Sequence, residues 1–198
     1  MKMGCSMTSK FLYIGVLIAL LNISQLVEAG NHSLFGGVSG GGGNVINPTP
    51  PIIPATKETV ETLITQSYMN LESYLRNIEK TYLEHKMNLT ESLIFAKIFD
   101  GSNNVFTKIS IFKPKIEERH SCYDFELKPV DASISFLNEN NFCISSFSIR
   151  EKVIESDIRD QAMALMIHEY SELSGATEEE AIFIQRNILD DLKTVNNF

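Results

Sequence analysis

Residues 161–181, QAMALMIHEYSELSGATEEEA, are the stretch whose reading decides the fold. Residues 162–167 are apolar on every side, and a helix without a polar face runs through a core rather than over it. His168 carries that helix on inside the core. At about 3.6 residues per turn, His168 and Glu172 stand one above the other on a single face, with Glu169 set about 100° round from His168. Gly175 is placed to end the helix as a left-handed C′ residue. Thr177 and Glu180 form the T-x-x-E capping box of a following helix. The chain therefore turns sharply, and the turn brings Glu178 back towards His168 and Glu172.

The segment HEYSELSGATE, residues 168–178, has the pattern H-E-x-x-E-x-x-G-x-x-E and resembles the active helix of the zincin metallopeptidases. In that family H-E-x-x-H supplies two zinc-binding imidazoles and a glutamate that activates water, with a third ligand further along. Carried over by position, the resemblance makes His168 the first metal ligand and Glu169 the general base. Glu172 stands where the second histidine belongs, and this is the departure from the family pattern. Glu178 has the spacing of the third metzincin ligand, although a glutamate on a following helix is closer to the third ligand of gluzincins. No methionine follows Glu178, so a metzincin Met-turn is absent. One histidine and two glutamates make an oxygen-rich donor set, which binds zinc less selectively and leaves manganese, iron or no metal open. The implied substrate is a peptide or protein. Tyr170 and the downstream chain offer no clear oxyanion donor.

The same residues also have a reading without chemistry. Glu178, Glu179 and Glu180 are what a helix N-terminus favours through its dipole, and His168 with Glu172 is an ordinary i, i+4 contact. The resemblance therefore leaves two classes in view, a metal-dependent peptidase and a non-catalytic binding or structural domain that has lost metal chemistry.

At the start of the chain, Lys2 and Lys10 precede the apolar run of residues 11–21, and Val27-Glu28-Ala29 offers a small-residue cleavage site. Residues 1–29 are expected to be a secretory signal peptide, placing the protein in a periplasmic or extracellular compartment. Asn22, Ser24 and Gln25 interrupt the run well short of the ~20 apolar residues of a spanning helix, so no stable membrane span is expected after cleavage. The whole chain carries a formal charge of -8, and loss of the leader makes the remainder more acidic still. An acidic exported protein is a poor partner for nucleic acid. Residues 30–54, dominated by Gly, Asn and Pro, are expected to be a flexible linker. No Lys-Ser/Thr follows their glycines, so they are not a phosphate-binding loop.

Residues 55–198 are then expected to form a single α+β domain, zincin-like by the resemblance. Val60, Leu63, Ile64, Ser67, Leu71, Tyr74, Leu75, Ile78 and Tyr82 recur at helical spacing, which predicts a long N-terminal helix from Thr56 to about Lys86. Residues 91–99 suggest a second, shorter helix. The alternation across residues 105–112 predicts a strand ended by Pro114, and residues 113–119 predict a charged, solvated connection. Residues 132–137 and 142–149 predict the hairpin of a short antiparallel sheet, ahead of the active helix and a C-terminal helix. Cys122 and Cys143 are the cysteines that survive signal cleavage, and in an oxidising compartment they are expected to pair.

Overall fold

A computed structural model describes residues 42–84, 88–134 and 140–195. The expected signal peptide and the first part of the expected linker lie outside these residues. Among the described residues the protein is α+β, with six helices and two small sheets. The long helix α1 (Lys57–Leu83) starts where Thr56 accepts a hydrogen bond from the Thr59 N–H. It buries the stripe Val60, Ile64, Ser67, Leu71, Leu75 and Ile78, close to the expected one. Tyr68, Tyr74 and Tyr82 are half-buried against the core, and Tyr74 and Tyr82 donate to Asp191 and Asp100. Helix α2 (Leu89–Phe99) opens with a full capping box between Asn88 and Glu91.

The alternating stretch after it is not a strand. Residues Val105–Ile111 form helix α3, and the Asn104 side chain caps it by accepting from the Thr107 N–H at 3.0 Å. Val105, Ile109 and Phe112 stand at i, i+4 and i+7, one face of a helix but two faces of a strand, and these three are buried. A run this short satisfies both periods, and the Asn104 cap decides between them. The expected solvated connection is in fact a strand, β1 (Lys113–Glu117). Pro114 sits inside it rather than ending an element. A residue without an N–H is tolerated there because β1 is at the sheet edge.

Strands β2 (Cys122–Tyr123) and β3 (Pro129–Val130) make a small antiparallel ribbon. β4 (Ala132–Ile134) and β5 (Asn141–Ser145) pair antiparallel, Ser133 opposite Cys143, as the expected hairpin requires. Residues 135–139 of that hairpin lie outside the described residues. The three-stranded sheet has the order β1-β5-β4 and is mixed rather than antiparallel, since β1 runs parallel to β5. β5 is also shorter than expected. Ser145 caps helix α4 (Ser146–Lys152) by accepting from the Ser148 N–H, which converts the rest of the apolar run to helix.

A single 3-10 turn, Glu155–Asp157, leads into helix α5 (Ile158–Leu173). From Gln161 onward every residue of α5 is buried, packed by α1, α3, β4 and the last helix, α6 (Glu178–Val195). This is the core helix that its lack of a polar face predicts. Cys122 and Cys143 lie at disulfide distance, with the sulfurs 2.00 Å apart, and join the β2–β3 ribbon to the central strand β5. No described helix is long and apolar enough to cross a membrane.

Residues 42–46 differ most from expectation. The linker assignment does not hold for them, because Gly42, Gly43 and Val45 are buried and Ile46 is half-buried, with Asn44 exposed between them. The Gly43 carbonyl accepts from the Asp131 and Ala132 N–H groups at 3.1 and 2.9 Å, and Val45 is buried. A Cβ on Gly42 would stand 2.7 Å from Val130 Cγ2, so only glycine fits this close approach.

Candidate metal centre

Helix geometry builds the centre from two elements. On α5, His168 and Glu172 share a face, and His168 Nε2 lies 4.0 Å from Glu172 Oε2. The helix then ends in a Schellman motif: the Gly175 N–H donates to the Glu172 carbonyl and the Ala176 N–H to the Ser171 carbonyl, with Gly175 at φ +106°. Thr177 and Glu180 close the expected capping box of α6 in both directions. This compact reversal returns Glu178 to within 3.6 Å of His168 Nε2. One donor atom from each of His168, Glu172 and Glu178 lies within 4.8 Å of the others. The three expected ligands are therefore together.

Glu169 faces a different neighbour. Its Oε1 accepts a 2.8 Å hydrogen bond from the Gly43 N–H, across 126 residues of sequence. His168, Glu169 and Glu172 are wholly buried, whereas the Glu178 side chain is 29% exposed. Burial dominates the electrostatics. It pushes the Glu169 carboxyl up to about 7, against the opposing pull of His168 and the Gly43 amide. It pushes Glu172 up to about 10, helped by the negative charges of Glu169 and Glu178. Glu178 is also raised by burial, but the neighbouring His168, 3.6 Å away, outweighs this and holds it below the ordinary value.

The donor chemistry fits a divalent cation. Both ring nitrogens of His168, both carboxylate oxygens of Glu172, Glu169 Oε2 and Glu178 Oε2 are buried without a hydrogen-bond partner. A buried polar atom left unpaired costs about 1–3 kcal/mol, so a native core rarely gathers several. Donors around one zinc ion at about 2.1 Å stand roughly 3.4 Å apart. The separations of 3.6 and 4.0 Å from His168 approach that spacing.

Tyr170 is committed elsewhere. Its hydroxyl donates to the Phe112 carbonyl at 2.8 Å and its ring meets Phe142 edge-on, so it is part of the core. Sequence reasoning missed the partners brought by residues 42–46. Gln161 holds Ile46 through both its amide groups, at 3.2 and 2.8 Å, and Gln185 donates to the Asn44 carbonyl at 2.8 Å. Asp131 is fully buried and accepts from the Val45 N–H, the Ser148 hydroxyl and Lys152. The one available signal was that Val45 and Ile46 follow the glycines, which is unlike a polar linker. Compared with protein-family models, curated proteins and solved structures, the chain matches none.

Proposed function

We propose that this protein is an exported, zincin-like metal-dependent peptidase whose centre is built from His168, Glu172 and Glu178, with Glu169 as general base. The observation that carries this reading is the convergence of three donor side chains around buried, unpartnered atoms. A divalent ion, zinc or a harder metal such as manganese or iron, would polarise a peptide carbonyl and acidify water there. The chain's own contributions are separable. His168 and Glu172 are fixed by one turn of α5, and Glu178 is delivered by the Gly175 reversal. Glu169, raised to about 7 by burial, is poised to exchange a proton near neutral pH. A cysteine pair at disulfide distance and the absence of a spanning helix among the described residues are consistent with an exported protein, periplasmic or extracellular. The substrate class is peptide or protein, and nucleic acid is disfavoured by the acidic charge.

Purified protein is expected to carry about one equivalent of divalent ion, and His168→Ala to lose it. Glu169→Gln keeps the ligands, so metal stays while hydrolysis of a peptide substrate disappears. Glu172→His restores the family donor set and is expected to tighten zinc binding, measured by competition with a chromogenic chelator. Zinc binding no tighter than in the parent would remove the zincin geometry from consideration. The burial of Glu169 under Gly43 favours a second reading, a metal-stabilised domain without turnover. In that case Glu169→Gln changes stability, and no peptide is cleaved by either form.

A further inference from the structure

The proposed centre has a wall that the H-E-x-x-E helix does not supply. Residues 42–46 lie against α5, and side chains of the surrounding domain hold their main chain. Glu169 takes the Gly43 N–H, Asp131 the Val45 N–H, Gln161 both polar groups of Ile46, and Gln185 the Asn44 carbonyl. Proteins hold an extended peptide ligand in the same manner, through its backbone, with close approach where the ligand lacks side chains. A Cβ on Gly43 would lie 2.7 Å from Leu165 Cδ1, 2.9 Å from Glu169 Oε1 and 3.2 Å from His168 Cδ2. The segment is therefore pressed against the two residues that open the motif, and both are sealed from solvent.

General-base chemistry requires Glu169 to reach water and a substrate carbonyl, yet one of its oxygens is bound to the chain itself. We propose that residues 42–46 are a built-in strap that occupies the peptide side of the centre and holds it closed, and that the centre opens when the strap unlatches from Gln161 and Gln185. This regulation rests on the proposed metal-peptidase reading. The latch is separable from the motif, because Gln161 is seven positions before His168 and Gln185 is on α6. Beyond the strap, the Thr49 carbonyl accepts from the Ile154 N–H at 3.0 Å and Ala55 packs on the core, while Ile52 and Ile53 between them are 100% and 85% exposed, so release is confined to the chain on the strap side of Thr49.

The test uses the full chain stripped of metal by a chelator. Hydrogen exchange is followed at the amides of residues 42–46 and of α5, and diethyl pyrocarbonate modification is followed at His168 by peptide mass spectrometry. In the parent, strap amides are expected to exchange faster than α5 amides, through local opening. In the Gln161→Ala/Gln185→Ala variant, strap exchange and His168 modification are both expected to rise by about tenfold or more. If the variant does not fold, the comparison of strap and α5 amides in the parent still decides. Strap amides that exchange only with global unfolding would make the segment a fixed wall and overturn the proposal. So would a strap that opens without any gain in His168 modification. Neither readout needs metal, so a chain that binds no ion sinks the peptidase reading while leaving the strap result legible. Where metal does bind, zinc uptake is expected to accelerate in parallel with His168 modification.

Discussion

His168, Glu169 and Glu172 lie within five positions of one helix, but their partners come from different parts of the chain. His168 and Glu172 look towards Glu178, and Glu169 towards Gly43. This division has a consequence for pH. Glu169 and Glu172 are raised to about 7 and about 10 from 4.5. Between pH 4.5 and 7 the folded metal-free protein therefore binds protons at both groups that the unfolded chain has released, and Glu172 continues this towards 10. Stability falls as pH rises wherever the native state holds more protons. Glu178, shifted the other way, acts below that window. Thermal unfolding of chelator-treated protein should show Tm decreasing by several degrees from pH 5 to pH 8. A bound divalent ion needs ionised carboxylates, so added metal should reverse the trend and release protons on binding. A metal-free Tm that climbs over this range would contradict the buried, protonated state of Glu172.

At the scale of elements, the α5–α6 reversal places Glu178 beside His168, and it hangs on Gly175. A Cβ there meets nothing within 4 Å, but the φ of +106° is one that L side chains rarely adopt. Gly175→Ala should therefore cost about 1–3 kcal/mol through the backbone alone. Its larger effect should be on metal affinity, because relaxing the Schellman turn moves Glu178 away from His168. Titration with zinc alongside a urea melt separates the two effects. This reversal was legible because its signals are local: Gly at C′, then T-x-x-E. Residues 105–111 were not legible in the same way. Seven residues fit both periods, and the Asn103-Asn104 pair suggests a turn as readily as it supplies a helix cap. β1 was hidden for a related reason, since a Lys- and Pro-bearing stretch becomes a strand only when the open edge of β5 is beside it.

For the whole molecule, the covalent tie between the ribbon and the central strand should matter most to stability. Protein denatured without reductant should show no thiol from Cys122 or Cys143. Changing both to Ser should remove about 3 kcal/mol on the loop-closure estimate for a separation of 21 residues, lowering Tm by about 5–10 °C. Two free thiols, or an unchanged Tm, would show that the pair does not cross-link the native fold.

The sequence by itself determined the α+β class, the core helix, its stop, the capping box, the long amphipathic helix, the cysteine pair and the meeting of His168, Glu172 and Glu178. The cysteine pair follows from there being two cysteines after the expected leader; the other local features depend on spacing within one element or across one tight turn, so short-range geometry settles them. Tertiary structure alone decided the mixed order of the sheet and the seating of residues 42–46 over Glu169. A glycine run carries no side chains to announce where it docks. Its place is set by Asp131, Gln161, Glu169 and Gln185, which lie far along the chain and meet its backbone only once the core has closed.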